Sequence, residues 1–286
     1  MEINVRTDLA SEAHRLWRAS AERTSALPGV LAHEEKLDGY AVTAVQILDE
    51  EGSRALGKAP GLYYTMELDR FPGRTEESFS AAAGALAQLI RRCLPERLEA
   101  PVLVAALGNP DITPDALGSL CAEHVLVTRH LRERQPALFA SFAPTAVCRT
   151  GVLGTSGMES ALQLRALCRA LSPSCVIAVD ALAGADPARL CRTVQVCSTG
   201  IAPGSGVGND RERLDRASLR VPVTAVGIPT VIDASHFSGD EALRGLFVTP
   251  RGIDELVRRG ARLIGCAIDL ALHDGLTMEE LDALLE

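Results

Sequence analysis

Val102-Leu103-Val104-Ala105-Ala106-Leu107 runs without a polar residue into Gly108-Asn109-Pro110-Asp111-Ile112-Thr113-Pro114-Asp115-Ala116-Leu117-Gly118. A short apolar run closed by glycine and proline is the pattern of a strand buried on both faces, and the acids that follow stand where strand turns into helix. In α/β enzymes the crevice at the carboxyl ends of the strands holds the chemistry. A second such run, Cys175-Val176-Ile177-Ala178-Val179, ends in Asp180. Two strand tips of one sheet would bring Asp115 and Asp180 to a common crevice, and two facing carboxylates suggest acid/base work on a water.

The flanking sequence alternates helix and strand. Leu9-Ala10, Ala13, Leu16-Trp17 and Ala21 recur at helical spacing over 9–26, with Asp8 as a cap and Pro28-Gly29 as a stop. Tyr40 to Leu48 and Leu62 to Met66 read as strands, together an antiparallel edge of the sheet. Further helices are expected over Thr75 to Cys93, Ala116 to Glu123, Met158 to Leu171 and Ile253 to Leu272, with a short acidic helix at the tail. Further strands are expected at Val125 to Val127, Thr193 to Cys197 and Pro222 to Ile228. Apolar strands between helices imply a sheet covered on both faces, a three-layer α/β/α body with a mixed, mostly parallel sheet. No internal repeat or long linker interrupts it, so residues 1–286 read as a single domain.

Composition narrows the function classes. With 286 residues, 47% hydrophobic and 23% charged, the chain is globular rather than disordered or fibrous. A formal net charge of -8 without a basic stripe argues against nucleic acid as a direct partner. Eight cysteines, at 93, 121, 148, 168, 175, 191, 197 and 266, form no Cys-x-x-Cys pair, which points to a reducing compartment and reads them as core. The amino terminus has no charged stretch followed by an apolar core, and no segment reaches the roughly 18 apolar residues of a membrane helix. The expectation is a cytoplasmic protein with no membrane partner.

Several signatures are missing: no Gly-x-x-x-x-Gly-Lys-Ser/Thr, no Gly-x-Ser-x-Gly, no His-Glu-x-x-His. Gly204-Ser205-Gly206-Val207-Gly208 lacks dinucleotide-fingerprint spacing; it reads either as a tight loop needing positive φ or as backbone approaching a substrate or an oxyanion. Asp115 reads either as catalytic or as complementing the positive end of a helix begun at Pro114, with Thr113 the better cap. Asp180 is open to the same two readings, and Asp111 reads as solvated. His124 and His130 flank Val125 to Val127; each is structural, assists a carboxylate, or completes a metal set with Asp115 and Asp180. His236 is a weaker candidate, and Arg129 beside His130 is placed to keep an acid ionised.

Five ordered stretches then carry a resemblance: Val5-Arg6-Thr7-Asp8-Leu9-Ala10; Gly108-Asn109 with Thr113-Pro114-Asp115-Ala116-Leu117-Gly118; Val127-Thr128-Arg129-His130-Leu131; the run from Thr199 through Gly204-Ser205-Gly206-Val207-Gly208 to Asn209; and Gly227-Ile228-Pro229-Thr230-Val231-Ile232-Asp233-Ala234. In these the chain resembles the germination proteases of spore-forming bacteria, from its start to about Ala234. The resemblance implies an endopeptidase that starts degradation of small acid-soluble spore proteins in the germinating spore, located in the forespore and spore core. It implies an atypical aspartic peptidase without cofactor, its catalytic acids at Asp115 and Asp180, and a fold similar to the hydrogenase maturation proteases. It further implies a homotetramer made as a zymogen. Only Met1 to Asn4 precede the first matching stretch, so the expected propeptide is either very short, residues 1–4, or absent from this chain. Ser119 stands where relatives usually have proline, and the part after His236 is shorter than usual.

Overall fold

The computed structural model describes residues 7–20, 27–68, 76–98, 100–208 and 211–285. The expected propeptide, residues 21–26 of the first helix and Asn209 lie outside them. Among the described residues nine strands make one sheet: β1 (Val30–Leu37), β2 (Tyr40–Ile47), β3 (Gly61–Glu67), β4 (Val102–Leu107), β5 (Thr145–Gly151), β6 (Cys175–Gly184), β7 (Thr193–Cys197), β8 (Val223–Asp233) and β9 (Phe247–Val248). Their order is β1-β2-β3-β7-β8-β6-β4-β5, with β9 added to the end of β8.

Period-two alternation explains the layers. Val102, Val104, Ile177 and Val179 face a core with Leu86, Leu89 and Ile90 of helix Glu76–Cys93 and Leu263, Ile264 and Ile268 of helix Ile253–Leu272. Leu103, Ala105, Val176 and Ala178 face the opposite core, with Ala10 and Ala13 of helix Ala10–Ser20 and Leu164 and Cys168 of helix Ser160–Leu171. The three-layer expectation holds, and the sheet is mixed. β5-β4-β6-β8 is its parallel half, while β1, β2, β3, β7 and β9 join it through antiparallel pairings. The antiparallel edge is therefore wider than the sequence suggested.

The parallel half positions the site. From β4 the chain passes to β5 on one side and returns to β6 on the other, so the sheet has a switch point between the carboxyl ends of β4 and β6. There β4 stops pairing at Ala106, opposite Val179, while β6 continues along β8 to Gly184. Asp180 is thus not a strand tip, as expected, but the first residue of β6 beyond the cover of β4. Short helix Leu117–Cys121 seats itself directly on the strand ends: a Cβ at Gly118 would lie 2.4 Å from the Val179 carbonyl oxygen and 2.5 Å from that of Leu107. Only glycine allows this approach.

Val125-Leu126-Val127 is not a strand. The segment is extended, but the Leu126 amide donates to both carboxylate oxygens of Asp269, at 3.0 and 3.1 Å, instead of to a neighbouring strand.

Candidate active site

Asp115 is held by the turn that follows β4. Gly108 leaves the strand at φ +89°, where a Cβ would lie 2.0 Å from the Asp115 carbonyl oxygen. A 3-10 turn, Thr113–Asp115, folds the acid back so that the Asn109 amide donates to its Oδ2 at 2.8 Å. Behind it the Thr230 hydroxyl of β8 donates to the Pro114 carbonyl at 2.7 Å. The Thr113 side chain makes no capping bond; Ile112 precedes the turn instead. Asp111 is exposed, its amide bonded to the Asn109 side chain, and it stays out of the cleft.

Asp180 comes from the sheet itself, on the same face as Val176 and Ala178, and only 4% of it is exposed. Its Oδ1 accepts the neighbouring Ala181 amide at 3.0 Å. Burial raises its carboxyl well above the ordinary range, and the charges of Asp115 and then Asp8 push the same way. Asp115 is also raised by burial, but less completely: the Asn109 amide and the Arg211 guanidinium both favour its ionised form. The two acids face one cleft of about 480 Å³. Apolar walls of Ile112, Leu153, Leu182, Val231 and Phe247 surround them, with Arg211 the one basic side chain lining it among the described residues. Two desolvated carboxylates on one cleft at a switch point, the charge of one raising the other, cannot both ionise cheaply, which suits them to pass protons in opposite directions.

A model of the germination protease family matches residues 7–243. The chain belongs to the germination protease family. A germination protease of Caldanaerobacter subterraneus subsp. tengcongensis is 36% identical over 99% of this chain and 98% of its own length. One from Bacillus cereus is 40% identical over 84% of this chain, an alignment spanning 66% of the Bacillus protein. A solved [NiFe] hydrogenase maturation protease, HycI from Thermococcus kodakarensis, aligns with 64% of this chain and 97% of its own at 17% identity and a TM-score of 0.35, too slight a likeness to bear on the site. As a germination protease the protein is a peptidase, a hydrolase acting on protein.

The remaining sequence candidates divide by position. Gly204 and Gly206 line the cleft with Val207, whereas Ser205 turns away and Gly208 is not part of the lining. The amides of Ser205, Val207 and Gly208 close the loop's own turns onto Ala202, Gly204 and Ser205. Gly206 is required sterically, because a Cβ there would lie 2.4 Å from both Ala183 Cβ and Asp8 Oδ2. His130 is exposed on helix Arg129–Arg134, and Arg129 pairs with Glu133 rather than with a site acid. The His124 backbone and Cβ pack where Gly265 makes room on helix Ile253–Leu272. His236 lies on the short helix Ser235–Ser238 and does not line the cleft. Among the described residues no three His, Cys, Asp or Glu side chains gather to hold a metal, so neither histidine joins Asp115 and Asp180. The eight cysteines are free thiols, seven of them buried, with Cys148 partly so.

Asp8, Lys58, Thr230 and Arg211 were not legible as contributors in the sequence. Asp8, read as a helix cap, instead pairs with the end of β6: its amide donates to the Ala183 carbonyl and its Oδ2 accepts the Ala183 amide at 2.8 Å. The Ser205 hydroxyl donates to its Oδ1 at 2.9 Å, while the first amide of the helix, that of Ala10, donates to Gln195 Oε1 at 2.7 Å. Lys58 donates to the Thr7 carbonyl at 3.1 Å from a half-buried position, and desolvation lowers its pKa. Thr230 and Arg211 complete the cleft from β8 and the 211–215 segment.

Proposed function

We propose that the protein is an endopeptidase of the atypical aspartic kind, hydrolysing small acid-soluble spore proteins at germination with Asp115 and Asp180 as its catalytic pair. The observation that carries this reading is the placement of the two carboxylates, one buried and one half-buried, on a single apolar cleft. Asp180, the more deeply buried and flanked by two other carboxylates, holds the shared proton; Asp115, with the Asn109 amide on one oxygen, carries the charge.

With an extended peptide in the cleft, Asp115 removes a proton from water as its oxygen attacks the scissile carbonyl. Asp180 gives its proton to the carbonyl oxygen, which leaves a neutral tetrahedral diol. Asp115 then protonates the departing amine, Asp180 recovers a proton from one diol hydroxyl, and the pair returns to its starting state. Backbone at Gly204 and Gly206 is the part of the glycine loop placed to contact the substrate chain. Work in the forespore and spore core as a homotetramer, with residues 1–286 as one peptidase domain, belongs to the same reading. So does synthesis as a zymogen.

The test is cleavage of a purified small acid-soluble spore protein by Asp115→Asn and Asp180→Asn variants. Each should lose activity by about three orders of magnitude while keeping its circular dichroism spectrum. Near wild-type cleavage by both would end the reading, and loss of wild-type activity on dialysis against a chelator would favour a metal-assisted peptidase in its place.

A further inference from the structure

Among the described residues the cleft has three acids on its lining, Asp8, Asp115 and Asp180, and a single guanidinium, that of Arg211. Arg211 belongs to a segment pinned from outside the cleft. Its Nη1 lies 3.3 Å from Oε1 of Glu159, the residue just before helix Ser160–Leu171, and the next residue, Glu212, pairs with Arg165 of that helix. Ile201 bridges to Leu214 on the other side. The ion pair thus ties the segment that follows the glycine loop to the wall formed by Ser160 and Leu153, and the guanidinium is carried over the mouth on two attachments.

Resting on the two-carboxylate reading above, we propose that Arg211 is the positioning residue that keeps the negative charge of the acid pair on Asp115, and that Glu159 tempers it by sharing the guanidinium. The charged groups facing Asp115 are few. β6 contributes Asp180, and the N-terminal segment contributes Asp8 behind it; β8 contributes Thr230, which is neutral. Helix Ile253–Leu272 packs under the turn with Gly260 and supplies none of the cleft lining, while Asp111 of the turn itself is exposed. Among the described residues Arg211 is therefore the one cation on the lining, and it adds to the bias that the deeper burial of Asp180 and the Asn109 amide on Asp115 already set. A pair whose charge sits on a fixed partner starts every turnover with base and acid already assigned. Glu159, 38% exposed at its side chain, keeps the guanidinium only partly available, since each charge it shares with Arg211 is one Asp115 does not receive whole.

The test is the pH profile of kcat/KM on a spore-protein substrate for wild type, Arg211→Gln, Arg211→Lys and Glu159→Gln. Loss of the cation makes Asp115 harder to ionise, so the acidic limb of Arg211→Gln should move up by about one pH unit, with Arg211→Lys recovering most of that shift. Glu159→Gln frees the guanidinium and should move the limb the other way, by less. Limbs that coincide in all four proteins, whatever their plateau heights, overturn the proposal, since lost substrate binding lowers a profile without displacing it. If Arg211→Gln does not fold, Glu159→Gln alone still decides by the direction of its shift. Failure of the underlying reading shows separately, as activity surviving in Asp115→Asn.

Discussion

Asp180 and Asp269 are both buried aspartates raised well above the ordinary carboxyl range by desolvation, yet they sit at opposite ends of the parallel strands and do different things. Asp180 stands past the carboxyl end of β4, with Asp115 and Asp8 adding to its shift, on the wall of an open cleft. Asp269, fully buried on helix Ile253–Leu272, accepts the Leu126 amide on both oxygens, and its neighbour is His273, one turn later, at 3.7 Å. His273 in turn accepts the Ala143 amide on Nδ1 at 3.1 Å and meets the ring of Phe142 edge-on. This second group ties the loops before β5 to the last long helix, so it is structural. A perturbed carboxyl marks function only where a second titratable group and an open face accompany it.

The largest expected effect breaks the comparison at the level of chemistry. Neutralising the acid costs about three orders of magnitude in kcat at Asp115 or Asp180, whereas Asp269→Asn, measured in the same assay, should stay within a few-fold of wild type. A comparable collapse for Asp269→Asn would show that the two ends are functionally one.

Stability against pH sharpens it next. His273 is lowered by burial to about 4, against an unfolded value of about 6.5. A depressed base binds its proton more readily in the unfolded chain, so the stability it contributes is complete above about pH 6.5 and is lost as pH falls toward 4. The advantage of wild type over His273→Gln should therefore shrink by on the order of 3 kcal/mol between those values in denaturant titrations. Asp180 runs the opposite way: a raised acid contributes stability below its unfolded value near 4 that fades as pH rises. Asp180→Asn should accordingly melt above wild type at neutral pH, the gap closing toward pH 4. A difference independent of pH would refute either assignment.

Asp269→Ala tests the structural role directly. It strands the half-buried Leu126 amide, which should cost about 1 kcal/mol. Unchanged melting would mean that water replaces the carboxylate without penalty.

What the sequence disclosed follows the same divide between interior and edge. β4 and the Cys175–Val179 part of β6 were legible because strand segments buried on both faces are apolar throughout. β1, with His33, Glu34, Glu35 and Lys36, and β5, with Arg149, were not, because they are the two outer strands and meet water where alternation is no longer enforced. Val125-Leu126-Val127 misled for the converse reason: its apolar residues and free ladder amide are satisfied by a helix side chain. In the site, Asp115 and Asp180 were legible because each follows a buried run. Asp8 was not, because its partner Ala183 is 175 residues away and nothing local distinguishes it from a cap.

The smallest effect concerns how the turn after β4 is supported. Thr230 reaches across from β8 to the Pro114 carbonyl, the residue before Asp115, from a position only 1% exposed. Replacing it with valine keeps the shape of the side chain but leaves that carbonyl without its hydroxyl donor, at about 1 kcal/mol. Because the bond holds the peptide that carries Asp115, the proposed catalytic base, the loss should appear mainly in kcat, a several-fold decrease with KM little altered, rather than in melting temperature alone. A Thr230→Val enzyme that is less stable but fully active would place Thr230 with Asp269, among the groups that hold the fold, and leave the orientation of Asp115 to the Asn109 amide and the Gly108 bend.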